Sequence, residues 1–214
     1  KAPGGDQIFP ALLQKSLEHI RGTLTLLFRA SYTWAYIPEG WRKVNVVFLP
    51  KPGKTGDNAK SYKPISLSSF ILKTMEKMLD LHIRGTLAIH RPIHKSQFAY
   101  SKGKSTELAL SLLTEKIERT LRFKEFALGA FLDVEGAFDN TGYGAIINAL
   151  RTRQVDKATQ TWTLNMLGGR ILTSKIGSTS RTILATIGCP QGGVLSPLLW
   201  TIVVDDLLVR LTEK

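Results

Sequence analysis

The chain has 214 residues, enough for one sizeable domain or two small ones, and its 43% hydrophobic and 21% charged residues exclude a disordered polymer. Lysine and arginine total 29 against 17 acidic residues, and a net charge of +12 on a folded domain favours polyanionic partners, although a solvated basic surface would look the same. A single cysteine, Cys189, excludes an intrachain disulfide and a Cys-rich zinc site, and His19, His82, His90 and His94 have no companion ligands at metal spacing.

The spacing of Leu13, Leu17, Ile20, Leu24 and Leu27 predicts a helix that ends before Pro38. Residues 44–49 then read as a buried strand and 50–61 as a basic loop rich in Gly, Pro and Lys. Helices are predicted over 68–88 and 105–121. The continuous apolar run 126–132 fits a buried strand that stops at Asp133. Two further helices follow, over 143–150 and from 157 to the Gly168-Gly169 stop. Residues 171–176 and 181–187 flank Gly177-Ser178-Thr179-Ser180 in the pattern of a β-hairpin. Ser196 and Pro197 suit an N-cap and first helical position, opening a helix to about 212. Helices and strands are mixed, which makes the fold class α+β. The apolar stretch 198–204 is broken by Asp205 and Asp206 and is too short to span a bilayer. The chain opens on Lys1 rather than methionine and closes on Lys214, and it reads as a piece of a longer protein.

Two segments carry chemistry. The first is Phe131-Leu132-Asp133-Val134-Glu135-Gly136-Ala137-Phe138-Asp139. A carboxylate at the end of a buried strand costs several kcal/mol unless it is paired or bound to a cation. Phosphoryl transfer by two metal ions needs rigid carboxylates held in that way, and the Val134 carbonyl can add a second hard oxygen ligand. Asp133 could equally cap the turn after the strand, and the segment alone weighs the two evenly. The second is Gly188-Cys189-Pro190-Gln191-Gly192-Gly193-Val194-Leu195-Ser196-Pro197. Its paired glycines admit close approach of a backbone or a nucleotide, and Gln191 offers both a donor and an acceptor. The bland reading is a hairpin exit followed by a capped helix.

Together these segments resemble motifs A and B of reverse transcriptases. Lys1-Ala2-Pro3-Gly4-Gly5-Asp6 resembles the opening of non-LTR retrotransposon enzymes. Leu49-Pro50-Lys51-Pro52-Gly53-Lys54, Ser61-Tyr62-Lys63-Pro64-Ile65-Ser66-Leu67, and Gln97-Phe98-Ala99-Tyr100 with Gly103-Lys104-Ser105-Thr106 are similar to the fingers motifs, in the same order.

The resemblance implies the fingers (1–122, with an N-terminal helical extension) and partial palm (123–214) of a right-hand polymerase, thumb absent. It implies an RNA-directed DNA polymerase that adds dNTPs to a primer 3′ end with two Mg²⁺ ions. Asp133 would be the catalytic carboxylate and a metal ligand, with the Val134 carbonyl as a further ligand. Phe138 would be the steric gate that excludes a 2′-hydroxyl. Gln191 and Gly192 would line the nucleotide pocket, and Lys51 and Lys63 would lie near the triphosphate. Lys63 stands where arginine is usual, which keeps the charge but loses the bidentate fork. RNA template, DNA primer or target DNA, and dNTPs are the implied partners, in an intracellular ribonucleoprotein of nucleus and cytoplasm, with no membrane. The alternative is a catalytically dead retroelement relic that at most binds nucleic acid.

The family's Tyr-x-Asp-Asp turn has one tempting match here, Val203-Val204-Asp205-Asp206. That stretch lies inside the predicted last helix, where neighbouring side chains point about 100° apart and cannot aim jointly at one metal pair. Asp205 and Asp206 are therefore expected on the helix's exposed side, and the second metal-binding motif beyond residue 214. The fragment by itself is expected to be inactive.

Overall fold

Pro10 supplies the fixed φ of a first helical turn, and the chain runs from there as α1, Pro10–Thr33. In this computed structural model residues 2–53 and 58–212 are described, so Lys1 of the opening motif and Lys54 in the basic loop lie outside the described residues. A one-turn helix α2 (Glu39–Arg42) leads into strand β1 (Lys43–Pro50), and a short 3₁₀ turn (Ala59–Ser61) into β2 (Tyr62–Leu67). Helix α3 (Phe70–His90) begins where the Ser69 side chain accepts from the N–H groups of Ile71 and Leu72. Ser105 does the same for α4 (Thr106–Arg122) through Leu108 N–H at 3.2 Å. Then come α5 (Tyr143–Thr152), α6 (Lys157–Leu167), the hairpin β3 (Ile171–Ile176) and β4 (Thr179–Leu184), and α7 (Ser196–Thr212).

The core is helical. Leu72, Met75, Leu79, Ile83 and Leu87 of α3 pack with Ile146 and Leu150 of α5, Trp162, Met166 and Leu167 of α6, and Leu198, Leu199 and Ile202 of α7. Phe28 of α1 and Trp41 of α2 close one side, their rings 6.2 Å apart. The four strands form one mixed sheet in the order β2-β1-β3-β4. β1 pairs antiparallel with β2 and parallel with β3, so the sheet takes two strands from before residue 122 and two from after it. The result is a mixed helix-and-sheet fold, and no helix among the described residues is long and apolar enough to cross a membrane.

Four expectations change. The run 126–132 is not a buried strand: it has no regular structure, and Phe126, Leu128, Phe131 and Leu132 are all exposed. A strand exists only by sharing backbone hydrogen bonds with a neighbour, and no other described segment pairs with this one. β1 is a strand, but of its residues only Val44 is buried. The hairpin turn is the two residues Gly177 and Ser178, with Gly177 at φ +59°, so β4 starts at Thr179 and ends at Leu184 rather than spanning 181–187. Asp205 is buried rather than exposed. It continues the α7 face of Leu198, Thr201 and Ile202, where its Oδ2 accepts from Arg153 Nη2 at 2.7 Å and its Oδ1 from His94 N–H at 2.8 Å. Arg153 is itself fully buried and reaches the half-buried Asp206 at 3.2 Å. Both aspartates do lie within a helix, as the sequence requires.

Three helices are tied at one carboxylate. Asp156 caps α6 by accepting from Thr159 N–H at 2.8 Å, from the Tyr32 hydroxyl of α1 at 3.1 Å and from His82 Nε2 of α3 at 2.8 Å. Burial works against its charge, but these hydrogen bonds outweigh it and hold the carboxyl well below its ordinary 3.8. A depressed folded-state value contributes stability above the ordinary value, lost as pH falls through and below it. Asp156→Ala is expected to lower the unfolding free energy by about 1–2 kcal/mol at pH 7, the scale of a lost cap. The gap from wild type should narrow as pH drops below 3.8, read from urea melts at several pH values. A gap that does not change with pH would contradict this assignment.

Candidate active site

The turn 135–140 and the loop 188–196 form one unit through backbone hydrogen bonds. Cys189 N–H donates to the Phe138 carbonyl at 2.7 Å and Gly188 N–H to the Thr141 carbonyl at 3.0 Å. The Gln191 side chain donates to Asp139 Oδ2 at 2.8 Å, while Ser66 N–H of β2 donates to the Gln191 carbonyl at 2.7 Å. Ser196 Oγ, at the start of α7, donates back to the Pro190 carbonyl at 2.9 Å. Two glycines make this approach possible. Gly188 has φ +81°, and a Cβ there would run into the Asp139 carbonyl; Gly192 has φ +106° and would place one 3.0 Å from the Ser66 oxygen. Cys189 is buried against this junction, which pushes its thiol up to about 12 and makes it a packing residue rather than a nucleophile.

Between the turn, the loop and β2 lies a cleft of about 530 Å³. Its lining includes Lys63, Tyr100, Phe138, Gln191 and Gly192. Phe138 is half-buried with its ring 6.4 Å from both Tyr100, in an edge-on arrangement, and Trp200 of α7. The ring is thus a fixed wall of the cleft as well as a neighbour of the core. Four residues singled out from separate stretches of sequence, Lys63, Phe138, Gln191 and Gly192, therefore meet at one opening.

Three others do not join them. Lys51 is exposed, and its N–H pairs with the Ser61 carbonyl at 2.8 Å. Its charge acts instead on Glu135, whose carboxyl is held below its usual range first by the hydrogen bond and charge of Lys60, 2.9 Å away, and then by Lys51. Asp133 and Val134 are exposed and lie outside the cleft, although Val134 lines a smaller hollow beside Trp200. The strand-end carboxylate expected from the sequence is an exposed one here, for the reason given above. Asp133 and the Val134 carbonyl are hard oxygen donors of the type Mg²⁺ takes, yet two donors do not complete an octahedral site. No cluster of three or more His, Cys, Asp or Glu able to hold a metal occurs among the described residues.

Sequence reasoning passed over two buried charges behind the cleft, Glu76 and Arg170. Glu76 falls on the same α3 face as Leu72, Met75, Leu79 and Ile83, and a carboxylate on an apolar face is a signal that periodicity alone could have raised. Tyr100 was noted only as part of a motif; it stands at φ +56°, a backbone conformation that no pattern announces. Gly188→Ala is expected to lower stability by about 2–3 kcal/mol, since the added Cβ meets fixed backbone at a positive φ. Denaturant melts would measure it, and a loss under about 0.5 kcal/mol would mean that the turn and the loop are not locked together.

Residues 49–214 match the family described as Reverse transcriptase (RNA-dependent DNA polymerase). The probable RNA-directed DNA polymerase from transposon BS of Drosophila melanogaster is 27% identical over 97% of this chain and 23% of its own length. That from transposon X-element of the same fly is 30% identical, again over 97% and 23%. The Pol polyprotein of the type-1 retrotransposable element R2 of Popillia japonica is 26% identical over 82% of this chain and 24% of its own. This chain thus spans about a quarter of the length of these relatives. A chain of a solved partial Cas6-RT-Cas1--Cas2 complex aligns over 96% of this chain and 34% of its own length at 18% identity, with a TM-score of 0.48. On the match across residues 49–214, the chain belongs to the reverse transcriptase family.

Proposed function

We propose that this chain is the fingers (1–122) and partial palm (123–214) of a non-LTR retrotransposon polymerase that copies an RNA template into DNA from a DNA primer. The observation that carries the reading is the single cleft that gathers Lys63, Phe138, Gln191 and Gly192. Such an opening suits a nucleotide. Phe138 offers a flat wall flanked by Tyr100 and Trp200, and in this reading a sugar would lie against it with its 2′-hydroxyl excluded. Gln191 is held by Asp139, and the bare backbone of Gly192 lets the base pair approach closely. Lys63 brings a positive charge to the same opening, where it would offset charge on the phosphates.

The reaction in this reading is attack of a primer 3′-hydroxyl on the α-phosphate of a dNTP, with pyrophosphate leaving. Two Mg²⁺ ions would supply Lewis-acid stabilisation of the phosphate charge, and this chain's share of their ligands is the Asp133 carboxylate and the Val134 carbonyl. Asp133 makes no hydrogen bond or ion pair among the described residues, so its oxygens are available to a cation. Lys51 and Lys60 stand beside Glu135, two residues on, and would attract the template or triphosphate to that side. A ribonucleoprotein shared between nucleus and cytoplasm would be the setting for such an enzyme.

Two substitutions in the retrotransposon protein that carries this chain test the proposal. Asp133→Ala is expected to cut primer extension by roughly a thousandfold or more, the scale of losing an electrostatic stabiliser of the transition state. RNA template affinity should stay within about threefold, since one exposed carboxylate adds nothing to phosphate binding. Equal loss of synthesis and template binding would refute the catalytic role. Phe138→Ala should weaken discrimination against ribonucleotides by roughly tenfold or more, measured as the ratio of kcat/KM for dNTP and rNTP. An unchanged ratio would remove Phe138 from the gate.

A further inference from the structure

Glu76 is out of place by any packing argument. It is fully buried, on the face by which α3 meets the core, and a leucine or methionine there would add apolar contact at no electrostatic cost. Only one of its oxygens is used. Oε2 accepts from the backbone N–H groups of Val194 and Leu195, the latter at 3.0 Å, while Oε1 is buried with no partner. Leaving an acceptor unsatisfied in the interior is costly, so the acid is a poor stabiliser of α3 itself. What it does supply is an acceptor oxygen at the two N–H groups just before α7, next to the glycine pair that edges the cleft.

The other end of the same loop is held by a buried cation. Arg170, 5% exposed, donates from Nη2 to the Gly188 carbonyl at 2.6 Å and the Ile187 carbonyl at 3.3 Å, and from Nε to the Leu167 carbonyl at 2.8 Å. A carboxyl oxygen thus takes the loop's N–H groups at its exit and a guanidinium takes its carbonyls at its entry. Burial pushes the Glu76 carboxyl above its ordinary range; the Leu195 and Val194 N–H groups, and after them the charges of Lys73 and Arg170, offset that rise only in part. Neither side chain lines the cleft.

We infer that Glu76, together with Arg170, is a positioning residue for the nucleotide cleft: the pair clamps the loop 188–195 from behind and sets where Gln191 and Gly192 stand. The inference rests on the proposed polymerase reading for its consequence in catalysis, but the clamp itself does not. Residues 190–193 of the loop line the cleft, and holding the backbone on both sides of them leaves them little freedom to shift. Nucleotide binding would feel a loosened clamp before the chemical step does.

The test uses two variants. Glu76→Gln keeps an acceptor oxygen at the same reach, and Glu76→Met keeps the volume and removes it. In this chain, amide hydrogen exchange at Val194 and Leu195 should accelerate at least tenfold in Glu76→Met and stay within threefold of wild type in Glu76→Gln, with the Ile146 and Trp162 amides of the core unchanged in both. In the polymerase that carries this chain, Glu76→Met should raise the KM for dNTP about tenfold with kcat within threefold, and Glu76→Gln should restore KM to within threefold. Retained protection at Val194 and Leu195 in Glu76→Met would overturn the clamp. So would equal acceleration of every amide in both variants, which would mean a role in stability only. A fall in kcat at constant KM would overturn its link to nucleotide binding. A wild-type protein that extends no primer refutes the polymerase reading instead, and the exchange rates then decide the clamp alone.

Discussion

An irregular stretch of backbone can run through a protein interior only if its polar groups find partners there, and the loop 188–196 is such a stretch. Gly188, Cys189, Pro190, Gly193, Leu195 and Ser196 are all buried. Its N–H and carbonyl groups are met by the Phe138 and Thr141 carbonyls, by Ser66 of β2, by Ser196 of α7, by Glu76 of α3 and by Arg170 just before β3. Apart from Ser196, these partners come from four separate parts of the chain: the segment 138–141, β2, α3 and the residue before β3. Satisfying this loop therefore fixes the relative position of α3, α7, the sheet and the turn 135–140 at once. The cleft is the gap that remains where that arrangement meets solvent.

The same need explains why so many charges are buried behind a largely apolar core. Arg153 is enclosed between Asp205 and Asp206, and Arg170 between backbone carbonyls of Leu167 and Gly188. A lone buried charge costs far more than a packed leucine gains, so each persists only because its partners are placed for it. At Arg153 the partner lies on α7 and the cation directly follows α5, which ties two core helices together where their apolar contact ends. At Arg170 and Glu76 the partners are backbone groups, and what is held is a loop rather than a helix.

Much of this was legible in the sequence, and the parts that were not share a cause. The helices announce themselves: Pro10, Ser69, Ser105 and Asp156 stand at their starts, and apolar spacing runs behind each cap. The turn at Gly177 announces the hairpin in the same local way, although it takes two residues where four looked plausible. Strands that depend on a distant neighbour gave weaker signals. β2 carries Pro64 and Lys63 and drew no strand expectation from its sequence; it is a strand because β1 lies beside it. Conversely, 126–132 has the composition of a central strand but no neighbour among the described residues, and composition alone does not make a ladder. Asp205 was misplaced because a charge was assumed to face water, whereas the spacing 198, 201, 202, 205 already put it on the inner face. Lys63, Phe138, Gln191 and Gly192, each singled out through a motif, line one cleft; the motifs did not reveal the buried charges behind it.

The two halves of the proposed site differ in how they are held, and the difference has a consequence. Phe138, Gln191 and Gly192 belong to backbone that is locked by hydrogen bonds on both sides, so the nucleotide half is organised by this chain's own contacts. Asp133 precedes that locked turn by only two residues yet belongs to a segment whose apolar side chains are all in water. Rigid placement of a metal-ligating carboxylate needs its backbone fixed by a ladder or by packing. In the proposed enzyme the run 126–132 would gain that order by burying Phe126, Leu128, Phe131 and Leu132, at about 1.5–3 kcal/mol for each large side chain. In that proposed enzyme nucleotide recognition and metal placement would be separable properties of one domain: the first would be set by the loop between Glu76 and Arg170, the second by burial of the apolar run before Asp133.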